Sequence, residues 1–130
     1  MIINLTQHEA RPEQIAAGVY DLEGEHLARL RELLTFEDLP APREIAARAK
    51  AITDLATASA GYPVPALAMI GGAPFLMGAL ECALRLRGIE PRYAFSKRES
   101  VEEIVRDAEH PFGIVRKTQV FRHLGFVTPP

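Results

Sequence analysis

Side chains that could bind an anion occur in three short segments of the chain. Asn4 is followed by the polar run Thr6 to Arg11, which includes Gln7 and His8. A second segment reads Gly71-Gly72-Ala73-Pro74, and a third reads Ser96-Lys97-Arg98. Glycines let a ligand approach the backbone, and the N–H groups at the start of a following helix attract negative charge. Hydroxyl, amide and cationic side chains bind phosphate, so we predict a site for a phosphorylated, nucleotide-like ligand.

Each segment also has a simpler explanation. The Gly71-Gly72 pair is neither a full G-x-G-x-x-G motif nor a P-loop, and alone it indicates a tight turn. Lys97 and Arg98 alone are typical of a solvated surface pair. His8 could be an exposed loop residue, and His123, in a run with strand alternation, could be a half-buried histidine with its hydrogen bonds satisfied. The convergence of the three segments on one edge of a sheet is what favours a site.

Metal and thiol chemistry find little support in the sequence. The four histidines have no metal-ligand spacing, and one cysteine cannot form a zinc cluster, so we expect neither a metal nor another cofactor. Cys82 lies within a predicted helix beside Ala83, and we predict that it belongs to the core. A lone cysteine forms no internal disulfide, which fits a reducing compartment.

Composition and charge limit the partners. Apolar residues make up 48% and charged residues 25% of 130 residues, which is typical of one folded domain covering 1–130. Residues 1–84 hold six Lys and Arg against eleven Asp and Glu, whereas residues 85–122 hold nine against six. Neither part resembles a basic DNA-binding domain, so long duplex DNA is not an expected partner. No signal peptide and no apolar run of membrane-spanning length is found, and we expect a cytoplasmic protein.

The elements that would position these segments alternate between strands and helices. Strands are predicted at Met1–Leu5, Val19–Leu22, Val64–Ile70 and Arg92–Phe95. Helices are predicted from Pro12 to Gly18, over Glu23–Leu34, after Pro42 and after Pro74, the last two because apolar residues recur at helical spacing. The helix after Pro42 would end at Gly61-Tyr62-Pro63, and the one after Pro74 at Gly88. These features are those of an α/β fold: a three-layer, Rossmann-like, mainly parallel sheet with helices on both faces.

Parallel strands bring their carboxyl ends to one edge of the sheet, where ligands bind in such folds. The segments Thr6–Arg11, Gly71–Pro74 and Ser96–Ser100 would be loops at this edge.

The last third of the chain supports two secondary structures. Glu99–Arg106 could form a helix by propensity, but Ile114–Val127 is rich in β-branched and aromatic residues, and turn formers fill Asp107–Gly113. We therefore predict a C-terminal β-hairpin that closes the sheet.

Several short motifs resemble a known group. Asn4-Leu5-Thr6-Gln7-His8 with Pro12-Glu13-Gln14, Tyr93-Ala94-Phe95-Ser96-Lys97-Arg98-Glu99 and Val120-Phe121-Arg122-His123 resemble segments of small stand-alone CRISPR-associated proteins. That group has a fold like the CRISPR-associated Rossmann (CARF) domain and is linked to ring-nuclease activity. The resemblance covers both ends and the Gly71-Gly72 turn, whereas residues 19–60 resemble nothing we can name. Arg11 stands where the group tends to have a threonine, so no role of that hydroxyl carries over.

The resemblance implies a ligand and a reaction. The ligand would be a cyclic oligoadenylate, the second messenger of type III CRISPR defence, bound across the two-fold axis of a homodimer. Cleavage would need no metal, since a ribose 2′-hydroxyl is aligned against the neighbouring phosphate. Catalytic candidates are then His8, Thr6, Ser96, Lys97 and His123, and ligand-binding candidates are Asn4, Gln7, Gly71, Gly72, Ala73 and Arg98.

Three classes of function remain open at this point. The chain could be a ring nuclease, with His8 as the general acid or base. It could be a module that binds the nucleotide without cutting it. It could also be an accessory protein whose loops contact another protein.

Overall fold

The computed structural model describes residues 1–58 and 64–130, which form an α/β fold with nine elements in those ranges. The strands are β1 (Ile2–Asn4), β2 (Val19–Asp21), β3 (Leu67–Met69), β4 (Glu90–Val105) and β5 (Ile114–Val127), and the helices are α1 (Pro12–Ala16), α2 (Gly24–Leu34), α3 (Pro42–Ala58) and α4 (Pro74–Leu86). The predicted order of elements is therefore confirmed. The predicted end of α3 at Gly61-Tyr62-Pro63 lies outside the described residues.

The sheet has the strand order β2-β1-β3-β4-β5. β1 pairs in parallel with β2 and with β3, and β3 pairs in parallel with β4. The predicted adjacency of the first, third and fourth strands is confirmed. The helix α4 returns the chain in the same direction and so accounts for the parallel pairing of β3 with β4. Because the chain leaves β1 toward β2 on one side and later returns to β3 on the other, the order reverses between β1 and β3.

The main core lies on one face of the sheet. Ile3 and Leu5 of the first strand segment meet the buried leucines of α2 and α4 and the buried alanines and isoleucine of α3 there. Ala49, Ile52 and Ala56 are buried at the spacing that the sequence predicts for α3. The opposite face carries a smaller cluster of Ile2, Val19 and Met69 with partly buried Phe126 against it. A helical layer on this second face stays a prediction.

Three predictions about local structure are wrong. β3 is three residues long rather than Val64–Ile70. β4 does not end at Phe95 but continues to Val105, so Ser96–Ser100 is a strand and not a loop. Cys82 is exposed rather than part of the core, because it follows Leu80 by two positions, about 200° around the helix from the buried face.

The chain divides into two compact units, each described by itself below. The first unit comprises Met1–Ala94 and Phe126–Pro130, and the second comprises Phe95–Gly125. The single domain expected over 1–130 stays a prediction. Within the described residues, no helix has the length and apolarity that crossing a membrane requires.

Candidate functional site

The side chain of Asn4 organises the loop that follows β1. Its amide nitrogen donates to the carbonyl oxygen of His8 at 2.7 Å and to Oδ1 of Asp21 at 2.8 Å. Its amide oxygen accepts from the backbone N–H of Thr6 at 2.9 Å and from the Thr6 hydroxyl at 2.7 Å. Asn4 is only 3% exposed, and both amide protons and both lone pairs are used within the protein. It therefore fixes the loop instead of presenting its amide to a ligand.

Asp21 is the second anchor of this loop, and sequence reasoning missed it. It ends β2 directly opposite Asn4 in the parallel register, so the two side chains meet across neighbouring strands. Its carboxylate also accepts from the backbone N–H of Ala10 at 3.1 Å and 3.3 Å. The signal was available, because a polar residue ending each of two parallel strands is expected at the same edge of the sheet.

Thr6 lies at the point where the strand order reverses. A side-chain carbon added at Gly71 would stand 3.6 Å from Thr6 Cγ2, so the loops after β1 and β3 approach each other closely there. The carboxyl ends of strands that flank such a reversal form the usual ligand crevice of parallel α/β sheets. The structure thus brings together two of the three predicted segments in the first unit.

The Gly71-Gly72 turn leads into α4. Gly72 has φ of 148°, which favours glycine, and Ala73 is the N-cap of the helix. Pro74 carries no N–H, and the N–H of Leu76 is bonded to the Ala73 carbonyl oxygen at 3.0 Å. The first turn therefore offers fewer N–H groups to an anion than the four of an ordinary helix start.

Gln7 and His8 are exposed in the same loop. The amide nitrogen of Gln7 lies 3.3 Å from the carbonyl oxygen of Leu34 and 3.5 Å from the Thr35 hydroxyl, which ties the loop to the end of α2. His8 is held through its backbone, so its ring projects from a loop whose main chain is fixed by Asn4. A fixed backbone with an exposed imidazole suits proton transfer to a bound ligand.

A small cleft connects this loop to α2. Its volume is about 10 Å³, room for about one water molecule, and it is lined by Asn4, Thr6, Gln7, His8, Glu9, Asp21, Leu22, Leu27 and Arg31. Arg31 is a cation that sequence reasoning missed. It follows Leu27 by four residues and so lies on the same side of α2, which was the available signal. The cleft is smaller than the roughly 300–1,000 Å³ of typical small-molecule pockets.

The remaining predicted site residues belong to the second unit. Ser96, Lys97 and Arg98 are exposed and follow one another in β4, so their side chains alternate between its two faces. The guanidinium of Arg98 stacks over the ring of Phe121 at 5.3 Å. His123 lies half-buried in β5, and that its hydrogen bonds are satisfied stays a prediction.

Two side chains in the first unit have shifted pKa values, and structural contacts explain both shifts. Burial and the hydrogen bond that Tyr93 donates to Glu81 at 2.7 Å raise the pKa of Tyr93 well above the usual range of a phenol. A hydrogen bond from Arg87 lowers the pKa of Asp54, which joins α3 to α4. Neither group belongs to the cleft at the strand ends.

Of three kinds of comparison with known proteins, one gives a match. Neither the curated proteins nor the solved structures contain a match to this chain. In the described ranges, 1–58 and 64–130, no three His, Cys, Asp or Glu residues are grouped so that they could hold a metal ion. The model of a protein family described as the uncharacterized protein MJ1673 family matches residues 1–127, nearly the whole chain. The chain therefore belongs to the MJ1673 family.

Proposed function

We propose that this protein binds a cyclic oligoadenylate at the carboxyl edge of its sheet and cleaves it as a metal-independent ring nuclease. The observation that carries the proposal is the close approach of Thr6 to Gly71 at the reversal of strand order, with an exposed His8 two residues after Thr6. This position is where parallel α/β sheets place nucleotide ligands. The motif resemblance to small CRISPR-associated proteins supplies the ligand class, and a role in switching off type III CRISPR signalling follows from it.

The hydrogen bonds of Thr6 restrict its role in such a reaction. Its single hydroxyl proton is donated to Asn4 Oδ1 at 2.7 Å, so toward a ligand the oxygen can only accept. A ribose 2′-hydroxyl that donates to Thr6 would be oriented for attack on the neighbouring phosphorus. The new bond joins the 2′-oxygen to phosphorus, and the bond from phosphorus to the leaving 5′-oxygen breaks.

Proton transfer is assigned to His8. The imidazolium form would donate its proton to the leaving 5′-oxygen, which departs as a hydroxyl group, while the proton of the 2′-hydroxyl passes to solvent or to a second base. Ser96 and His123 are retained as further candidates for this second base or for orienting the ribose. The negative charge on the phosphate would be met by the backbone at Gly71, Gly72 and Ala73.

Cations would complete the recognition of the phosphates. Arg31 lines the same cleft as His8 and is our first choice for a phosphate contact. Lys97 and Arg98 stay candidates for a second contact, and stacking on Phe121 leaves the in-plane N–H groups of Arg98 available to an acceptor.

We also propose that the protein works as a homodimer. A cleft of about 10 Å³ is too small to enclose a ring of several nucleotides. A two-fold axis would supply a second copy of the same loops, as a symmetric ligand requires. The finer features of the fold that go with this proposal are a CARF-like, Rossmann-like domain and an antiparallel hairpin formed by β4 and β5.

The second candidate function is binding without cleavage. The observation that favours it is that the Asn4 amide and the Thr6 hydroxyl proton are already used within the loop, which leaves fewer groups to act on a reacting phosphate. In that case the protein would sequester the nucleotide or pass the signal to a partner protein.

Incubation with radiolabelled cyclic oligoadenylates, with and without EDTA, tests the proposal. We expect linear products in both conditions and a rate at least about 100-fold lower for His8→Ala, with binding kept, as for loss of a general acid or base. His26→Ala is the matched control, because His26 is an exposed histidine on α2 that does not line the cleft. Binding without any product would favour the second candidate, and equal rates for His8→Ala and the parent would place the acid elsewhere.

A further inference from the structure

Many large apolar side chains of the second unit are exposed to solvent. We call Phe95–Val105 and Ile114–Gly125 together the ribbon. Its apolar residues with exposure near or above two fifths are Phe95, Val101, Ile104, Ile114, Val115, Val120, Phe121 and Leu124. A strand alternates its side chains between two faces, so the distribution of these residues over the faces decides what the ribbon can bind.

Contacts between the strands assign the faces. Arg122 lies 3.6 Å from Glu99, so even-numbered residues of β5 share a face with odd-numbered residues of β4. The opposite face is marked by Lys117, 3.8 Å from Glu102, and by Arg98 over Phe121. We call the first of these the odd-even face. It holds the apolar side chains of Phe95, Val101, Val105, Ile114, Val120 and Leu124, whereas the other face of the ribbon holds Ile104, Val115 and Phe121.

The charges in the part of the ribbon that follows Arg98 are divided by strand. Residues 99–105 of β4 carry Glu99, Glu102 and Glu103 without a basic residue. β5 carries Arg116, Lys117 and Arg122 without an acidic residue. In this part, the odd-even face combines an apolar surface with an acidic side from Glu99 and Glu103 and a basic side from Arg116 and Arg122. Lys97 of β4 also lies on the odd-even face, before the acidic residues.

We infer that the odd-even face is the surface on which a second copy of this chain docks. A two-fold axis parallel to the strands would lay β4 of one copy over β5 of the other, so that Glu99 and Glu103 meet basic residues of the partner. The apolar side chains between them would be buried in the same contact. The inference rests on the homodimer proposed above and names its interface.

Charge also argues against a dimer in which two ribbons pair edge to edge through β5. β5 is the last strand of the sheet, and such an edge can pair with an edge strand of another copy. Antiparallel pairing of β5 with its own copy would bring Arg116, Lys117 and Arg122 against one another, and facing like charges are destabilising. Stacking of the faces avoids this repulsion.

The first test compares two aspartate substitutions in one strand by sedimentation velocity without nucleotide. Val120 and Val115 are both exposed valines of β5, at 43% and 64%, but they lie on opposite faces. We expect a dimer for the parent and for Val115→Asp, and at least a tenfold weaker dimer for Val120→Asp. A monomeric parent, or equal weakening by the two substitutions, would overturn the inference.

A second test uses charge exchange and does not depend on one substitution. The variant Glu99→Arg with Glu103→Arg and the variant Arg116→Glu with Arg122→Glu should each be monomeric, because each has charges of one sign at positions 99, 103, 116 and 122. Mixed in equal amounts, they should form a heterodimer that neither forms alone. Absence of the mixed dimer from two variants with the parental circular dichroism would overturn the inference. All these measurements are made without nucleotide, so the docking surface can fail while nucleotide binding stands, and the reverse also holds.

Discussion

The replacement of Asn4 by alanine is the sharpest test of how the loop after β1 is held. The substitution removes three hydrogen bonds to neutral groups and one to the carboxylate of Asp21. Each neutral bond contributes about 0.5–1.5 kcal/mol to stability, and a bond to a charged group contributes about 1.5–3 kcal/mol. Water can reach part of the loop, since Thr6 and Asp21 are half-exposed, and it will replace some of these bonds.

We therefore expect the free energy of unfolding to fall by about 2–4 kcal/mol in Asn4→Ala, which is a large part of the roughly 5–15 kcal/mol of a typical domain. Urea unfolding followed by far-ultraviolet circular dichroism measures this directly. Gln7→Ala is the control, because its two contacts at 3.3 Å and 3.5 Å are long and exposed, and we expect a loss below about 0.5 kcal/mol. A cycle with Asp21→Ala and the double variant should show a coupling of at least about 0.5 kcal/mol between Asn4 and Asp21.

A loss in Asn4→Ala as small as that of Gln7→Ala would refute this reasoning. It would mean that water satisfies the loop as well as Asn4 does. A cycle in which the effects of Asn4 and Asp21 simply add would show that their 2.8 Å hydrogen bond contributes nothing of its own.

The remaining predictions concern a glycine, a cation and a phenol. Gly72→Ala should destabilise the protein by about 1–3 kcal/mol because Gly72 has a positive φ. Gly78 lies in the interior of α4 with open space around it, so Gly78→Ala should stabilise the protein by about 0.5–1 kcal/mol. Thermal unfolding compares the two variants, and a change of the same sign in both would contradict the backbone argument. Lys97→Ala should weaken cyclic oligoadenylate binding, and the loss of affinity should be largest at low salt, whereas Lys117→Ala should leave the affinity unchanged. Titration of each variant with the ligand at two salt concentrations measures these affinities. Equal affinities for the parent and Lys97→Ala would remove this residue from the site. Tyr93 should stay protonated above about pH 10, where an exposed tyrosine ionises. Ultraviolet titration of the parent and of Tyr93→Phe should therefore show the same phenolate signal up to about pH 11. A larger signal in the parent would mean that Tyr93 titrates like an exposed tyrosine.

Local sequence patterns alone determined most of the secondary structure and strand pairing of the first unit. The spacing of Ala49, Ile52 and Ala56 identified the buried side of α3, and the strand–glycine–helix–glycine–strand order identified the parallel pairing of β3 with β4. Both follow from local rules, since a helix or a strand repeats its side chains at a fixed interval whatever it packs against. The same rules placed the loops after β1 and β3 at one edge of the sheet.

Other features depended on partners distant in sequence. Glu99–Val105 has helical propensity, yet it is a strand, with Glu99 and Glu102 lying beside basic residues of β5. Asn4 was interpreted as a ligand donor because the sequence does not show the register in which Asn4 and Asp21 face each other. Sequence alone identified the polar and glycine residues that follow β1 and β3. Only the tertiary structure decided which of their hydrogen-bonding groups are already used by the protein, because that depends on distances between segments that the chain brings together on folding.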